Sequence, residues 1–400
     1  MSEFTLYKFC NLYEMSSGIS STPEQAGHGF PFLSFSVVFN NYFLPSKLPD
    51  LMNTSDKERK KYSIKEGDIF LTRTSEVLDE LAMSSVATKD YDNATYSGFL
   101  KRLRPIQKNI TYHKFMAFYL RSKFFRKTME NNAIMTLRAS FNEQIFSYIN
   151  LLIPPFSEQK KIGDFLFTIH QKIELNNRIN TELEQMAKTL YDYWFVQFDF
   201  PNEEGKPYRA SGGEMVYNEV LKREIPAGWE VGTLEEIINL EYGKPLKESD
   251  RSGNGFPVMG SNGIVGYHEK FLVKGPGIVV GRKGSAGEIT WVNNNFFPID
   301  TTYYITDKRG LDFLGFHYYL LKKVNLKKIE SSSAVPGLNR NVVYSIKSEI
   351  PILSIVQRFS ELVKPFFDKI AINEQQNQQL ASLRDWLLPM LMNGQVTVGE

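Results

Sequence analysis

The sequence predicts an α+β fold: two mixed α/β blocks joined by two long, antiparallel, coiled-coil-like helices that form a pseudo-twofold internal repeat. Three observations predict it. The chain has 400 residues, more than one hydrophobic core usually holds. The segment from Asn142 to Leu190 aligns without a gap with the segment from Asn339 to Leu387, at a constant offset of 197 residues. Both segments carry apolar residues at a spacing of three and four, which is typical of a packed helix.

The first block spans residues 1–153 and contains short apolar runs bounded by turn residues, a pattern that indicates strands. Three of its stretches resemble stretches of the second block: Gly29–Phe32 and Gly255–Val258, Asp68–Arg73 and Gly277–Arg282, and Phe115–Arg121 and Phe316–Lys322. Their offsets are 226, 209 and 201 residues. Because the offsets differ, we expect two copies of one plan whose loops have different lengths.

The first long helix is expected within residues 154–197, and the run from Ile153 to Phe156 is interpreted as its entry because it contains two prolines. The apolar positions expected to face a partner helix are Ile162, Phe165, Ile169, Ile173, Ile179, Leu183, Met186, Leu190 and Tyr193. This spacing predicts a long packed seam.

The second long helix is expected within residues 351–400. Its seam positions are predicted to be Phe359, Leu362, Phe366, Ile370, Leu380, Leu383 and Leu387. Pro365 should kink this helix or start a new turn.

Asn176 and Asn373 occupy the same core-type position in the two helices. One interpretation is a solvated face. The other is a pair of buried asparagines that fixes the register of the helices at some cost in stability. Since equal helices can pack antiparallel about a local twofold axis, we predict that the two asparagines face each other.

Residues 198–224 are expected to be a linker, and residues 225–350 the second block. Gly-rich turns at 252–255 and 260–263 either permit close approach of a partner or are hairpin turns.

The composition excludes several classes of protein. Cys10 is the only cysteine, so no intramolecular disulfide can form, and one cysteine with five histidines gives no cluster suited to zinc. We found no phosphate-binding loop motif and no nucleophile paired with a base. No apolar stretch approaches the 18 residues of a membrane span. We therefore expect a cytoplasmic protein that is not an enzyme.

Net charge is only +2, but both blocks are mildly basic and contain local basic clusters. The residues that could contact DNA are Arg73, Thr74, Ser75, Lys101, Arg102, Arg104, Arg282, Lys283, Ser285, Lys322 and Lys323. Arginine and hydroxyl side chains delivered by a strand suit contacts with bases and phosphates. Surface turns and solvated helix faces are the structural alternatives. The segments 136–142 and 331–339, which close the two blocks, either present hydroxyl groups to phosphate or merely link elements.

Several motifs together resemble the specificity subunits of Type I restriction–modification enzymes. They are Leu190–Pro201, Gly205–Tyr208, Ser211–Gly213, Ile225–Trp229, Gly281–Ser285, and Ile350-Pro351 before the last helix. The resemblance spans the whole chain.

This resemblance implies that residues 1–153 and 225–350 are target-recognition domains, each reading one half of a split, asymmetric DNA site. It implies that residues 154–197 and 351–400 are conserved spacer helices that dock two methyltransferase subunits and the restriction subunits. No cofactor would bind this chain: S-adenosylmethionine belongs to the methyltransferase partner, and ATP and Mg to the restriction subunit. The alternative is a stand-alone DNA-binding module without methyltransferase partners.

Overall fold

The computed structural model describes residues 4–20, 22–75, 80–132, 139–331 and 337–399. The chain divides into two compact units. The first unit consists of Met1–Leu175 with Asn377–Glu400, and the second of Asn176–Gln376. Each unit therefore contains one globular block, the start of the long helix that follows it and the end of the other long helix. The sequence-based boundaries separate blocks from helices, whereas the compact units divide each helix between them.

The first block is a mixed α/β structure. Its strands are β1 (Thr5–Lys8), β2 (Tyr13–Ser17), β3 (Ala26–Leu33), β4 (Asp50–Met52), β5 (Ile69–Thr72), β6 (Thr74–Ser75), β7 (Ser84–Val86), β8 (Thr95–Tyr96), β9 (Leu100–Pro105), β10 (Ala139–Ser140) and β11 (Asn150–Ile153). Its helices are α1 (Phe9–Leu12), α2 (Phe35–Asn40), α3 (Asp56–Lys61), α4 (His113–Tyr119), α5 (Lys123–Asn132) and α6 (Glu143–Tyr148). The long helix α7 (Phe156–Tyr191) follows, and a short π-helical turn continues it over Asp192–Val196.

The second block is also a mixed α/β structure. Its strands are β12 (Met215–Asn218), β13 (Arg223–Pro226), β14 (Glu230–Thr233), β15 (Ile238–Tyr242), β16 (Phe256–Gly260), β17 (Gly263–His268), β18 (Gly277–Gly281), β19 (Ile289–Val292), β20 (Phe297–Pro298), β21 (Thr302–Asp307) and β22 (Lys347–Ile350). Its helices are α8 (Leu314–Val324), α9 (Leu326–Ser331) and α10 (Arg340–Tyr344), and the long helix α11 (Leu353–Met392) follows.

The larger sheets of the two blocks have the same topology. The first block contains a four-stranded sheet ordered β2-β9-β5-β7 and a three-stranded sheet ordered β4-β3-β8. The second block contains β15-β21-β18-β19 and β17-β16-β20 in the same order, with matching parallel and antiparallel pairings. Strand β1 pairs antiparallel with β11, the last strand of the first block, and β14 pairs in the same way with β22, the last strand of the second. The internal repeat is therefore confirmed, and the three weaker sequence resemblances fall on equivalent elements.

Local sequence explains why the equivalent elements form. Strands β5 and β18 are interior strands whose residues are all buried, so their sequences are continuous apolar runs rather than alternating ones. The matched asparagines of the repeat cap short helices. The side chain of Asn142 accepts from Ile145 N at 2.9 Å to begin α6, and that of Asn339 accepts from Asn341 N at 2.9 Å to begin α10.

Both long helices contribute to the core of each unit. In the first unit Ile162 of α7 and Leu391 of α11 belong to one apolar core, and in the second unit Tyr191 of α7 and Phe359 of α11 do so. Helix α11 continues through Pro365 without a break.

Four predicted seam positions are wrong, because the residues there are 37–52% exposed rather than buried: Met186, Tyr193, Leu362 and Leu383. Buried positions in the neighbouring turns include Ala187 and Val363. The seam thus drifts around each helix, because the 3.6-residue turn of an α-helix does not match a fixed apolar repeat of seven.

The segment expected to be a linker is an ordered part of the second unit. Phe198 and Phe200 are buried against Trp229, and the Phe200 ring stacks on it at a centroid distance of 5.4 Å. Strands β12 and β13 then form an antiparallel hairpin. The aromatic residues of this segment therefore act as core.

Candidate nucleic-acid interface

Arg282 is held at the exit of β18 by backbone contacts on both sides. Its N–H donates to Thr301 O at 2.9 Å, and its carbonyl accepts from Leu338 N at 2.8 Å. The guanidinium donates to Asp300 O at 2.9 Å and lies 5.1 Å from the ring centre of Tyr242. The backbone and the side chain of this arginine are therefore both fixed at the surface of the second unit.

A second guanidinium meets the same tyrosine ring. Arg340, the first residue of α10, lies 5.0 Å from the ring centre of Tyr242 and 5.8 Å from that of Tyr344. The hydroxyl of Tyr344 accepts from Leu240 N at 2.9 Å, which fixes that ring. Tyr242 is 46% exposed, so Arg282 and Arg340 stack on an accessible ring. A stacked guanidinium keeps its N–H edge available for bases or phosphates.

Three more polar residues lie near this pair of arginines in the structure or the sequence. Tyr303 donates its hydroxyl proton to Leu338 O at 3.1 Å, and burial raises the pKa of Tyr303, so it stays a donor at neutral pH. Lys244 and Lys283, which follow β15 and β18 in the chain, are exposed. We name Tyr242, Arg282, Tyr303, Arg340 and Tyr344 the second-unit cluster.

The first unit holds Arg73 by the same pair of backbone hydrogen bonds, which we call the backbone frame. Its N–H donates to Phe99 O at 2.9 Å, and its carbonyl accepts from Phe141 N at 2.8 Å. These are the repeat equivalents of the contacts that hold Arg282. The two arginines chosen from the sequence therefore occupy equivalent places, each in its own unit.

The side chains around Arg73 differ from those around Arg282. Lys101 donates to the Ser17 hydroxyl at 2.8 Å. Burial lowers the pKa of Lys101, the nearby charge of Arg73 lowers it further, and Glu143 raises it. Phe99 is 67% exposed on the loop that holds Arg73. We name Ser17, Arg73, Phe99, Lys101 and Glu143 the first-unit cluster.

The hydroxyl residues that follow the two arginines lie in ordered backbone. Thr74 and Ser75 form β6, which pairs with β10. Ser285 belongs to a tight loop in which its carbonyl accepts from Glu288 N at 3.3 Å. These residues therefore lie beside the two clusters, whereas residues 136–138 and 332–336 of the closing segments fall outside the described residues.

Two arginines proposed from the basic run of the first block are structural, which corrects the expectation that they contact DNA. Arg102 is buried and donates to Ser63 O at 2.7 Å. Arg104 makes two hydrogen bonds to the buried carboxylate of Asp68, at 2.7 and 2.6 Å, and this pairing is the main cause that raises the pKa of Arg104. Both guanidinium groups thus bond to groups of the first block. Of the three basic residues of this strand, only Lys101 reaches a candidate cluster.

The lysines of α8 make contacts within the second unit, Lys322 on the helix itself and Lys323 with a neighbouring strand. Lys322 lies with its ammonium 4.4 Å from the ring centre of Tyr318. Lys323 pairs with Glu349 of β22 at 2.9 Å, and burial lowers the pKa of Lys323 to about 8. The structure does not bring them together with Arg282 and Lys283, so Lys323 in particular is a structural residue.

Asn176 and Asn373 are buried between the two long helices, which excludes the solvated face. Asn176 Nδ2 donates to Gln376 Oε1 at 2.9 Å, and Asn373 Nδ2 donates to Asn180 Oδ1 at 2.8 Å. Residue numbers rise along one helix while they fall along the other, so these segments of the second unit are antiparallel. Each of these bonds reaches a residue three or four positions from the other asparagine. A role in setting register stays a prediction.

Tyr242, Arg340, Phe99 and Glu143 were not proposed from the sequence as contact residues. A signal for two of them existed, because the ungapped alignment places Glu143 opposite Arg340, immediately after the matched asparagines. A reversal of charge within an otherwise similar register indicates a position whose side chain the fold does not dictate.

Neither a metal centre nor a membrane segment is found in the part of the chain that the structure describes. No group of three or more His, Cys, Asp or Glu side chains is placed there to hold a metal ion. Within the same residues no helix is long and apolar enough to cross a membrane.

Comparison with known proteins adds a family and a fold. A family model described as "Type I restriction modification DNA specificity domain" matches residues 2–185 and 226–382. The Type I restriction enzyme MjaIX specificity subunit of Methanocaldococcus jannaschii is 29% identical over 277 residues, covering 63% of this chain and 62% of that relative. The Type I restriction enzyme HindI specificity subunit of Haemophilus influenzae is 25% identical and covers 91% of this chain and 94% of that relative.

A solved structure has a similar fold. The crystal structure of a Type I restriction–modification system S subunit from M. genitalium matches with a TM-score of 0.63 at 16% sequence identity. The match covers 98% of this chain and 96% of that one.

Proposed function

The chain belongs to the Type I restriction–modification DNA specificity family, and from this premise we propose that it reads a bipartite, asymmetric DNA target, with one half-site for each unit. It is a specificity subunit and not itself a catalyst. The observation that carries the proposal is the repeated backbone frame around Arg73 and Arg282, which holds different side chains in the two units. Equal frames with unequal donors and acceptors suit two different sequences of double-stranded DNA.

Arginine at this position has a chemical advantage over lysine. Its planar fork can donate two hydrogen bonds to O6 and N7 of guanine in the major groove. Stacking of Arg282 on Tyr242 restrains the fork before DNA arrives, so less conformational entropy is lost on binding.

Substitution of Arg282 tests the DNA-reading role. We expect Arg282→Ala to weaken specific binding by a complex with the methyltransferase subunit and to affect recognition of one half-site only. Lys222→Ala, which removes an exposed charge of the β12–β13 hairpin in the same unit, is the control. Unchanged affinity and an unchanged methylation motif in Arg282→Ala would remove this residue from the interface.

We further propose that the long helices dock two methyltransferase subunits, which in turn recruit the restriction subunits. Repeat-related apolar residues stay exposed on both helices: Leu175 and Ile372 form one pair, and Met186 and Leu383 another. Large exposed apolar side chains at matching positions suit two copies of one partner. S-adenosylmethionine would be bound by that partner, and ATP and Mg by the restriction subunit, all acting on DNA in the cytoplasm.

Stoichiometry tests the docking proposal. Leu175→Glu and Ile372→Glu should each reduce the number of methyltransferase subunits per chain from two to one, as measured by native mass spectrometry, and the double variant should bind none. Exchange of the exposed Lys172 to Glu is the control for added negative charge on the same helix. If the wild-type chain never associates with a methyltransferase subunit but binds DNA, the stand-alone DNA-binding module is favoured instead.

A further inference from the structure

One pair of repeat-related residues combines the same backbone position with opposite charge. Glu143 is the first residue of α6 after the cap Asn142, and Arg340 is the first residue of α10 after the cap Asn339. Backbone contacts that hold Arg73 and Arg282 lead into these two caps in equivalent ways. The fold therefore fixes the backbone positions of these two residues but does not determine which side chain each carries.

Arg340 is prepared for a directional contact. Its guanidinium lies over the ring of Tyr242, 5.0 Å from the ring centre, and belongs to the second-unit cluster with Arg282. Stacking on a ring uses the face of the guanidinium and leaves its edge for hydrogen bonds. Two adjacent acceptors on one base edge, as on guanine, match that fork.

Glu143 has an exposed side chain in the first-unit cluster, where its charge acts on Lys101 beside Arg73. A carboxylate is repelled by phosphate groups, so a backbone contact with DNA is unfavourable for it. Its favourable contact with DNA is acceptance of a hydrogen bond from a base amino group, most directly N4 of cytosine. The nearby cations Arg73 and Lys101 would reduce the repulsion between such a carboxylate and the phosphate groups of DNA.

We propose that Arg340 and Glu143 are specificity-determining residues that read bases at corresponding positions of the two half-sites, guanine for Arg340 and cytosine for Glu143. This inference rests on the proposed function of the chain as a reader of a bipartite target. It goes further by assigning two residues to opposite half-sites and a base class to each.

The competing explanation for Glu143 is a purely structural ion pair with Lys101. Under that explanation, removal of the carboxylate changes stability and leaves the recognised sequence unchanged. Under the proposal it changes the recognised sequence at one position. Sequence preference and thermal stability are separate measurements, so the two explanations are distinguishable.

The experiment determines methylation motifs for the complex of the full chain with its methyltransferase subunit. Arg340→Lys keeps the positive charge but removes the planar guanidinium with its paired donors, and Glu143→Ala removes the carboxylate acceptor. We expect Arg340→Lys to reduce discrimination for guanine at one position of one half-site by roughly 5- to 150-fold. Glu143→Ala should relax one position of the other half-site by a similar factor. Arg209→Lys and Glu235→Ala, both at exposed sites of the second unit, are the matched controls.

Several outcomes overturn the inference. One is a motif that stays unchanged while affinity falls uniformly across sequences, since that indicates a phosphate contact. Another is a relaxation of the same half-site by both variants, and a third is a loss of thermal stability in Glu143→Ala with no change of motif. A wild-type complex that methylates no split motif would instead refute the proposed function itself, before either variant is compared.

Discussion

Gly163 of α7 should be among the least replaceable residues of the first unit, because a side chain there would meet backbone atoms. A Cβ built on Gly163 would lie 2.6 Å from the backbone N of Phe115 and 3.1 Å from its Cα. It would also lie 2.9 Å from Cδ1 of Tyr112. The ring of Tyr112 can move, but the backbone of α4 cannot move without separating the two helices.

The expected cost of Gly163→Ala follows from two opposing effects. Overpacking of a well-packed interior costs about 1–3 kcal/mol. Alanine in place of glycine within a helix stabilises by about 1 kcal/mol. Because the close contact is with backbone, we expect the upper end of the overpacking cost and a net loss of about 2 kcal/mol. For a unit of this size the melting temperature should fall by about 4–8 °C.

Differential scanning calorimetry of the full chain is the assay, since the two units can melt as separate transitions. Gly315→Ala is the matched control, because Gly315 also lies in a helix and faces a long helix. Its Cβ would lie 3.0 Å from Val363 Cγ2 and 3.4 Å from Phe367 Cε2, which are side-chain atoms that can shift. The gain in helix propensity should offset this contact and leave the melting temperature nearly unchanged. A Gly163→Ala chain that melts at or above the wild-type temperature would refute the reasoning.

Three further predictions concern pH, a buried ion pair and the asparagine layer. Burial lowers the pKa of His170 to about 4, so as the pH falls the unfolded chain binds a proton near pH 6.5, before the folded chain does. Between about pH 7.5 and about pH 5 the free energy of unfolding should therefore fall by about 2 kcal/mol more in wild type than in His170→Phe. Equal pH dependence of the two chains in denaturant titrations would contradict this. Asp68→Asn removes the charged partner of Arg104 and should destabilise the first unit by about 3 kcal/mol in the same titrations, whereas a loss under 1 kcal/mol would show that the pair contributes little. Replacement of both Asn176 and Asn373 by Leu should raise the melting temperature by a few degrees, because the buried amides are exchanged for apolar contacts; a lower melting temperature would show that the polar layer stabilises the helices.

The long helices and the repeat could be predicted from the sequence because each depends on a regular spacing. A helical turn of 3.6 residues imposes its period on the apolar residues, and an ungapped alignment preserves that period in both copies. The period predicts where the helix lies more accurately than it predicts which face of the helix is buried. Met186 and Leu383 fit the pattern and are nevertheless exposed, since the contact drifts around the helix over several turns.

The candidate interface could be predicted only in part, because it depends on contacts between distant segments. Arg73 and Arg282 follow recognisable strands, so their places could be inferred. The basic run of β9 was misleading, since this strand lies between β2 and β5 and its Arg102 and Arg104 bond to groups far along the chain. Nothing in the local sequence of Tyr242 shows that two arginines, 40 and 98 positions later, stack on its ring.

The same contrast explains how such a chain can change its target without losing its fold. The frame around Arg73 and Arg282 is built from backbone hydrogen bonds, which do not depend on the side chains at Glu143 or Arg340. Under the proposed function, a substitution at either position therefore alters the donors and acceptors offered to DNA at little structural cost. The long helices have no such freedom, because a buried residue such as Asn373 contacts the opposite helix and a change on one side must be matched on the other. Under the proposed function, recognition by one unit can thus vary independently of recognition by the other, while the buried contacts of Asn176 and Asn373 between the helices stay constant.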